Sequence, residues 1–267
     1  MGNLKHHHFA ALFALLFVLA CKKSRNTKIE IPEPEPPVII KTLVPIKLEA
    51  AGLIINLKYK ENTTLLTEIS EGEGSTKTVI TYNAAQYPIA LEKYKSSKLF
   101  YKVNYRLEDK KVINKVLIFD YKELLHTYTP RGYYTISYND LQQLSSLHYY
   151  NNSDNLIEAQ SYIKSGNLST VTTTNDSGFT NIHTYTFDQK KGIASSISYA
   201  QLFTIESEHW FLSYYLNNLL NYRNQKSPSE NTDFSYEYNT DGYPSKMMIS
   251  KDKNTQSIKI TYKSIEL

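Results

Sequence analysis

The chain has 267 residues, of which 41% are hydrophobic and 21% are charged, and its formal net charge at pH 7 is +4. A charge balance this close to neutral does not indicate nucleic-acid binding, for which a strongly basic surface is typical. Cys21 is the only cysteine, which excludes disulfide bonds and thiolate metal sites from the rest of the chain.

Residues 1–20 are typical of an export signal. A short start containing Lys5 leads into an apolar run from Phe9 to Ala20, which is too short to cross a bilayer as a helix. The residues Val18 to Cys21 read VLAC and resemble the lipobox of bacterial lipoproteins. The resemblance implies cleavage before Cys21 and lipidation of that residue, and several acyl chains make a durable membrane anchor. The alternative is an ordinary secretory signal that ends at a cysteine by chance.

Residues 21–40 combine the expected lipidated cysteine with a proline-rich tether. The run from Pro32 to Pro37 favours an extended polyproline II conformation and cannot join a helix or a central strand. We therefore expect this segment to hold the following domain away from the membrane.

From about residue 41 onwards, apolar and polar residues alternate in many stretches. In the stretch from Leu99 to Leu107, every second residue is apolar or aromatic, and from Lys102 onwards the residues between them are polar or charged. This period of two is typical of a half-buried β-strand. Tyrosine is unusually frequent, with 23 residues, and tyrosine is enriched in strands because its ring packs while its hydroxyl stays hydrated.

A short unit recurs between the alternating stretches: an aromatic residue, then Asn or Asp, then a few polar residues and an apolar restart. It occurs at Tyr82-Asn83, Tyr138-Asn139, Tyr150-Asn151, Phe187-Asp188 and Tyr238-Asn239. Side chains of Asn and Asp accept hydrogen bonds from following backbone amides and start turns. We expect Gly242 or Asn155 to supply the positive φ angle of its turn, and we predict a structural role for these Asn and Asp residues.

The stretch YEYNTDGYPSKM resembles the tyrosine-aspartate hairpins of bacterial YD-repeat proteins. Together with the lipobox, the serial hairpins resemble uncharacterised Bacteroidota lipoproteins. The resemblance implies an antiparallel meander and brings neither an activity nor catalytic residues. In that class an acidic run after the lipidated cysteine often accompanies export to the cell surface. Here the basic stretch KKSRN follows Cys21, which favours the periplasmic face of the outer membrane.

One segment departs from the β pattern. Between Ser207 and Asn221 the aromatic and leucine residues recur at helical spacing, and we predict a short helix over residues 207–221. Its residues Trp210, Phe211 and Tyr214 are our candidates for stacking against a ligand. The alternative is that these rings pack against the sheet as part of the core.

The predicted fold is all-β: an antiparallel meander of about a dozen strands, in a twisted sheet or a half or open barrel, with this one short helix. Residues 41–267 form a single domain with a helical insertion at about 200–231. We expect a monomer.

No sequence motif indicates a catalytic site, a metal site or a cofactor, and we expect none of the three. We predict a non-enzymatic, membrane-anchored envelope lipoprotein that binds a glycan, a lipid or another envelope protein. Two alternatives stay open: an envelope glycan hydrolase that uses carboxylates on strands, and a purely structural lipoprotein. A hydrolase needs two carboxylates held across a cleft, which the sequence alone does not reveal.

Overall fold

The computed structural model describes residues 41–72, 74–107, 113–122, 125, 127–207, 217–252 and 254–266. The predicted signal segment, Cys21, the tether and the candidate stacking residues Trp210, Phe211 and Tyr214 lie outside the described residues.

The described residues form sixteen β-strands, each antiparallel to its neighbours in the sheet. The first eight are β1 (Lys41–Ala50), β2 (Leu53–Tyr59), β3 (Leu66–Glu71), β4 (Thr76–Tyr82), β5 (Pro88–Lys95), β6 (Lys98–Leu107), β7 (Ile113–Lys122) and β8 (Thr127–Tyr138). The last eight are β9 (Leu144–Asn151), β10 (Leu156–Ser165), β11 (Leu168–Asn175), β12 (Thr180–Phe187), β13 (Leu219–Asn224), β14 (Thr232–Tyr238), β15 (Pro244–Lys251) and β16 (Asn254–Glu266).

The strands follow one another around a closed barrel. The first and last strands complete it, with Lys41 opposite Glu266 and Glu49 opposite Lys259. The prediction of an all-β antiparallel meander with one short helix is confirmed. The predicted number of about a dozen strands and the half-open or open form are wrong, because strands β1 and β16 pair and remove both edges.

Most of the buried side chains inside the barrel are apolar. A sixteen-strand barrel is wide enough to leave a channel unless something fills it. Here the connection between β12 and β13 enters the barrel, and we call residues 188–207 the inserted segment. Its residues Ile193, Ile197 and Phe203 are buried and join one core with the inward residues Leu48 and Leu57 of the wall.

The only α-helix among the described residues is α1 (Ala200–Ile205), which belongs to the inserted segment. It lies just before the predicted position, 207–221. Residues 219–221 belong to strand β13, so the predicted helix is wrong there, and residues 208–216 lie outside the described residues. The spacing of Leu219 and Leu220 is compatible with a helix and with a strand. Leu219 and Asn221 pair with β12, so this part of the segment is a strand.

Five turns share one geometry. An Asn side-chain oxygen accepts a hydrogen bond from the backbone N–H four residues later, at 2.9 to 3.1 Å. The residue three positions after the Asn has a positive φ. The capping residues are Asn83, Asn139, Asn151, Asn175 and Asn239. This confirms the predicted turn role of the four that the sequence pattern identified. Gly242 has φ +79° as predicted, but Asp154 rather than Asn155 takes the positive φ of its turn.

The outward face of the wall carries polar side chains with apolar ones scattered among them, such as the exposed Ile54 and Ile163. It carries ion pairs between neighbouring strands, such as Lys58 with Glu68 at 2.8 Å and Lys102 with Glu92 at 2.7 Å. Outward apolar side chains stand beside polar ones: Ile54, for example, lies opposite Glu49. Among the described residues no helix is both long enough and apolar enough to cross a bilayer.

Candidate ligand cavity

A cavity of about 660 Å³ lies inside the barrel, against the wall formed by strands β10 to β16. Its lining residues are Gln160, Tyr162, Val171, Thr173, His183, Tyr185, Tyr222, Glu230, Thr232, Phe234, Ile249, Lys251 and Gln256. Val171, Tyr222 and Phe234 are buried, whereas Glu230, Lys251 and Gln256 are exposed. Glu230 belongs to the β13–β14 connection, and Lys251 and Gln256 lie at the strand ends next to the β15–β16 connection. The cavity therefore opens at the barrel end opposite the one where the inserted segment enters.

The sequence leaves this space open in two ways. The inserted segment packs against β1 to β3, where Leu48, Leu57 and Leu66 meet Ile193 and Phe203. On the opposite wall, the inward positions of β11 carry the smaller residues Val171 and Thr173. Neighbouring strands supply tyrosine rings at the same depth. The volume lies within the range of about 300–1,000 Å³ that is usual for small-molecule sites.

A chain of hydrogen bonds lies along one side of the cavity. His183 Nδ1 is 3.0 Å from the hydroxyl of Tyr222, and that hydroxyl is 3.3 Å from Glu230 Oε2. The His183 and Tyr222 rings are stacked, with centroids 5.9 Å apart and an interplanar angle of 14°. Two rotatable side chains are thereby held in one arrangement at the cavity wall.

The loop between β13 and β14 fixes the position of Glu230, which ends a short 3₁₀ helix (Pro228–Glu230). The buried side chain of Asn224 donates to Glu230 Oε2 at 2.8 Å and accepts from the backbone amides of Lys226 and Ser227. Asn231 accepts from the backbone amide of Asn224 at 2.9 Å. The hydrogen bonds of this turn therefore hold the Glu230 carboxylate in one position.

Burial shifts the titration of the cavity groups. Burial lowers the pKa of His183, against a smaller opposite effect of Glu230 and Glu158, so the ring is neutral at pH 7. Burial likewise raises the pKa of Tyr222 and of Tyr162 far above the usual value near 10. The lining also contains one acidic side chain, Glu230, and one basic side chain, Lys251.

Comparison with solved structures places this architecture among known folds. A porin-like protein from Bacteroides uniformis superimposes with a TM-score of 0.53 at 12% identity, over 84% of this chain and 96% of that one. The chain has a porin-like β-barrel fold. A porin-like protein from Bacteroides vulgatus gives a TM-score of 0.41 at 10% identity, over 83% of this chain and 99% of that one. No protein-family model matches the sequence, and no curated protein does.

A second polar cluster lies deeper in the porin-like barrel, at the end of the inserted segment. Glu206 is 7% exposed and accepts hydrogen bonds from the hydroxyls of Tyr101 at 2.6 Å and Tyr134 at 2.7 Å. The buried hydroxyl of Tyr105 has no hydrogen-bond partner among the described residues. Two strands, β6 and β8, thus bind the residue that follows α1 and hold the inserted segment in place.

The sequence did not identify the cavity residues. The predicted stacking residues lie outside the described part of the chain, and the aromatic rings that line the cavity are those of Tyr162, Tyr185, Tyr222 and Phe234. The signal that was available is the alternation in β10 and β12, which places Gln160 with Tyr162 and His183 with Tyr185 on single faces. That alternation shows two faces but not which of them turns inward.

The described residues contain no group of three or more His, Cys, Asp or Glu side chains that could hold a metal ion. Of the candidate turn residues, Asp188 has a distinct position. Its carboxylate accepts from the backbone amide of Asn218 at 3.0 Å and from the hydroxyl of Tyr238. It therefore joins the two ends of the β12–β13 connection where that connection enters the barrel.

Proposed function

We propose that this protein is a lipid-anchored envelope protein at the periplasmic face of the outer membrane, and that it binds a glycan in its barrel cavity without altering it chemically. The observation that carries the proposal is the lining of the cavity. Aromatic rings of Tyr162, Tyr185 and Tyr222 offer faces on which sugar rings stack. Gln160, Thr173 and Gln256 offer hydrogen-bonding groups beside those faces.

A glycan fits this lining better than a fatty acid. An acyl chain needs a continuous apolar tube, and here polar side chains from β10, β11, β12 and β16 interrupt the apolar surface. The single positive and single negative charges of Lys251 and Glu230 stand at the mouth and leave the interior of the cavity uncharged. These features favour a neutral oligosaccharide of a few sugars.

The polar wall supports a protein that is anchored beside the membrane rather than embedded in it. Barrels that span the outer membrane carry an outward apolar band about 25 Å tall. The outward positions here include ion pairs, such as Lys246 with Glu237 at 2.9 Å and Lys77 with Glu68 at 3.2 Å, beside scattered apolar side chains such as Ile163. Lipidation of Cys21 and the proline-rich tether would then supply the membrane attachment.

The lining also supports binding without catalysis. A glycosidase places two carboxyl groups about 5–10 Å apart across the scissile bond. Among the described residues Glu230 is the one carboxylate in the lining itself, and hydrogen bonds from Asn224 and Tyr222 hold it at the rim. The nearby carboxylate of Glu158 accepts a hydrogen bond from the side chain of Gln160 at 2.7 Å. This arrangement favours the binding function over the hydrolase.

A cavity-filling variant with a matched control tests the binding function. The mature protein is titrated calorimetrically with neutral trisaccharides, namely maltotriose, cellotriose, chitotriose and xylotriose. Thr173→Trp places an indole in the cavity, whereas Thr172→Trp places the same indole on the outward face of the same strand. We expect binding of at least one trisaccharide, lost in Thr173→Trp and kept in Thr172→Trp. The proposal fails if none of the sugars binds, or if both variants bind equally.

Membrane attachment is tested separately with Cys21→Ser in the full chain. We expect the native protein to remain with the outer-membrane fraction until detergent is added, and the variant to appear in the aqueous periplasmic extract. A variant that still requires detergent would show that the barrel wall itself enters the bilayer.

A further inference from the structure

Which ring nitrogen of His183 carries the proton follows from its neighbours. Glu230 as a carboxylate can only accept, so the Tyr222 hydroxyl donates its single hydrogen to Glu230 Oε2. The 3.0 Å contact between Tyr222 and His183 then requires the hydrogen on Nδ1 of the histidine. In the neutral ring the other nitrogen, Nε2, carries no hydrogen and is a hydrogen-bond acceptor.

We infer that Nε2 of His183 accepts a hydrogen bond from a hydroxyl group of the bound glycan. Tyr222, Glu230 and Asn224 act as positioning residues that fix the tautomer and the orientation of His183. The inference rests on the proposed glycan-binding function and adds a specificity-determining residue to it. Sugar hydroxyls are donors as well as acceptors, and an acceptor held in a fixed position beside aromatic rings selects for a donor at one place.

The cavity makes this acceptor sensitive to pH. Protonation of His183 places a hydrogen on Nε2, turns the acceptor into a donor and adds a positive charge next to the ligand. Burial opposes this protonation, and the nearby carboxylates partly offset the effect of burial. The titratable groups around the ring, on the same wall or across the lining, are Glu158, Tyr162, Tyr185, Tyr222, Glu230 and Lys251.

The experiment measures affinity against pH for the trisaccharide that binds best, between pH 4.5 and 8. For the native protein we expect constant affinity above pH 7 and a fall of about tenfold as His183 takes up its proton, below pH 6.5. His183→Phe keeps a ring of similar shape without nitrogen atoms. We expect it to bind about tenfold more weakly at pH 7.5, with a flat pH profile.

His148→Phe is the matched control, because His148 lies on β9 opposite Thr135, on the outward face of the wall. It should retain the native affinity and the native pH profile. Tyr222→Phe removes the hydroxyl that orients His183, and we expect a several-fold loss together with a shifted pH profile. Urea unfolding of each variant confirms that the barrel is intact.

Two negative results separate this inference from the proposed function. If Thr173→Trp abolishes trisaccharide binding but His183→Phe binds like the native protein, the cavity is the site and His183 is not its acceptor. The same conclusion follows if the pH profile persists unchanged in His183→Phe. If no trisaccharide binds to the native protein, the proposed function fails, and the inference with it.

Discussion

Removal of single tyrosine hydroxyls inside the barrel gives a sharp test of how the inserted segment is held. Tyr134 is completely buried and donates to Glu206 at 2.7 Å, whereas Tyr105 is 5% exposed and its hydroxyl has no partner among the described residues. Tyr134→Phe and Tyr105→Phe thus delete the same atom from two strands of one core, β8 and β6, with opposite consequences.

The change in the free energy of unfolding depends on whether the deleted hydroxyl was hydrogen-bonded. A hydrogen bond to a charged group contributes about 1.5–3 kcal/mol, so Tyr134→Phe should lower the free energy of unfolding by about 2 kcal/mol. The Tyr105 hydroxyl is buried without compensation, which costs about 1–3 kcal/mol in the folded state. Tyr105→Phe should therefore leave the stability unchanged or raise it by about 1 kcal/mol.

Urea unfolding followed by tyrosine fluorescence and far-UV circular dichroism measures both effects. With a slope of about 3 kcal/mol per M urea, Tyr134→Phe should lower the midpoint by about 0.7 M, and Tyr105→Phe should not lower it. Tyr101→Phe, which removes the second donor to Glu206, should behave like Tyr134→Phe. Equal losses in Tyr134→Phe and Tyr105→Phe would refute the proposed contact between Glu206 and the wall.

Three further predictions concern the wall, the turns and the titration of the interior. Gly132 has φ +148°, and a Cβ there would lie 2.1 Å from the carbonyl oxygen of Tyr150. Gly132→Ala should therefore lower the free energy of unfolding, measured with urea, by more than about 2 kcal/mol. A loss below about 0.5 kcal/mol would contradict this geometry. Asn239→Ala removes the acceptor of two turn amides and should cost about 1 kcal/mol, whereas the neighbouring exposed Thr240→Ala should cost almost nothing in the same assay. Burial raises the pKa of Tyr105 and Tyr134 well above 10. The free energy of unfolding should therefore be constant below pH 10 and decrease above it by about 1.4 kcal/mol per tyrosine and pH unit, because only the unfolded chain ionises there. Unfolding titrations between pH 9 and 12 should show this steep loss, and a flat curve would contradict the burial of the two hydroxyls.

The local features of this fold were predictable because they depend on neighbouring residues. Alternation over Leu99–Leu107 predicts a strand, and the turn after Tyr238 follows from one Asn side chain and one glycine. Asn175 forms the same turn, and the sequence pattern missed it because no aromatic residue precedes it. The turn therefore requires an Asn followed three residues later by a residue with a positive φ. An aromatic residue often precedes the Asn but is not required.

The global features were not predictable, since they depend on contacts between distant residues. Closure requires β1 to pair with β16, and no local pattern in either strand reveals its partner. Glu206 meets Tyr101 and Tyr134, which are 105 and 72 residues away along the chain. The cavity has the same origin, because its lining comes from seven strands and one loop, and only the closed barrel brings them together.

The fold resembles that of porin-like proteins, whose strands can present apolar residues outward, whereas here many buried inward side chains are apolar and the outward face is mixed. In both cases the strands alternate with period two, so a sequence pattern cannot separate them, and a shift of one residue exchanges the two faces. Here Leu57, Val103 and Met247 face inward, and the adjacent residues Lys58, Lys102 and Lys246 face outward. An apolar interior this wide requires a filling, which the inserted segment provides on the β1–β3 side. The opposite side has smaller inward residues, Val171 and Thr173, and the space beside them is the cavity.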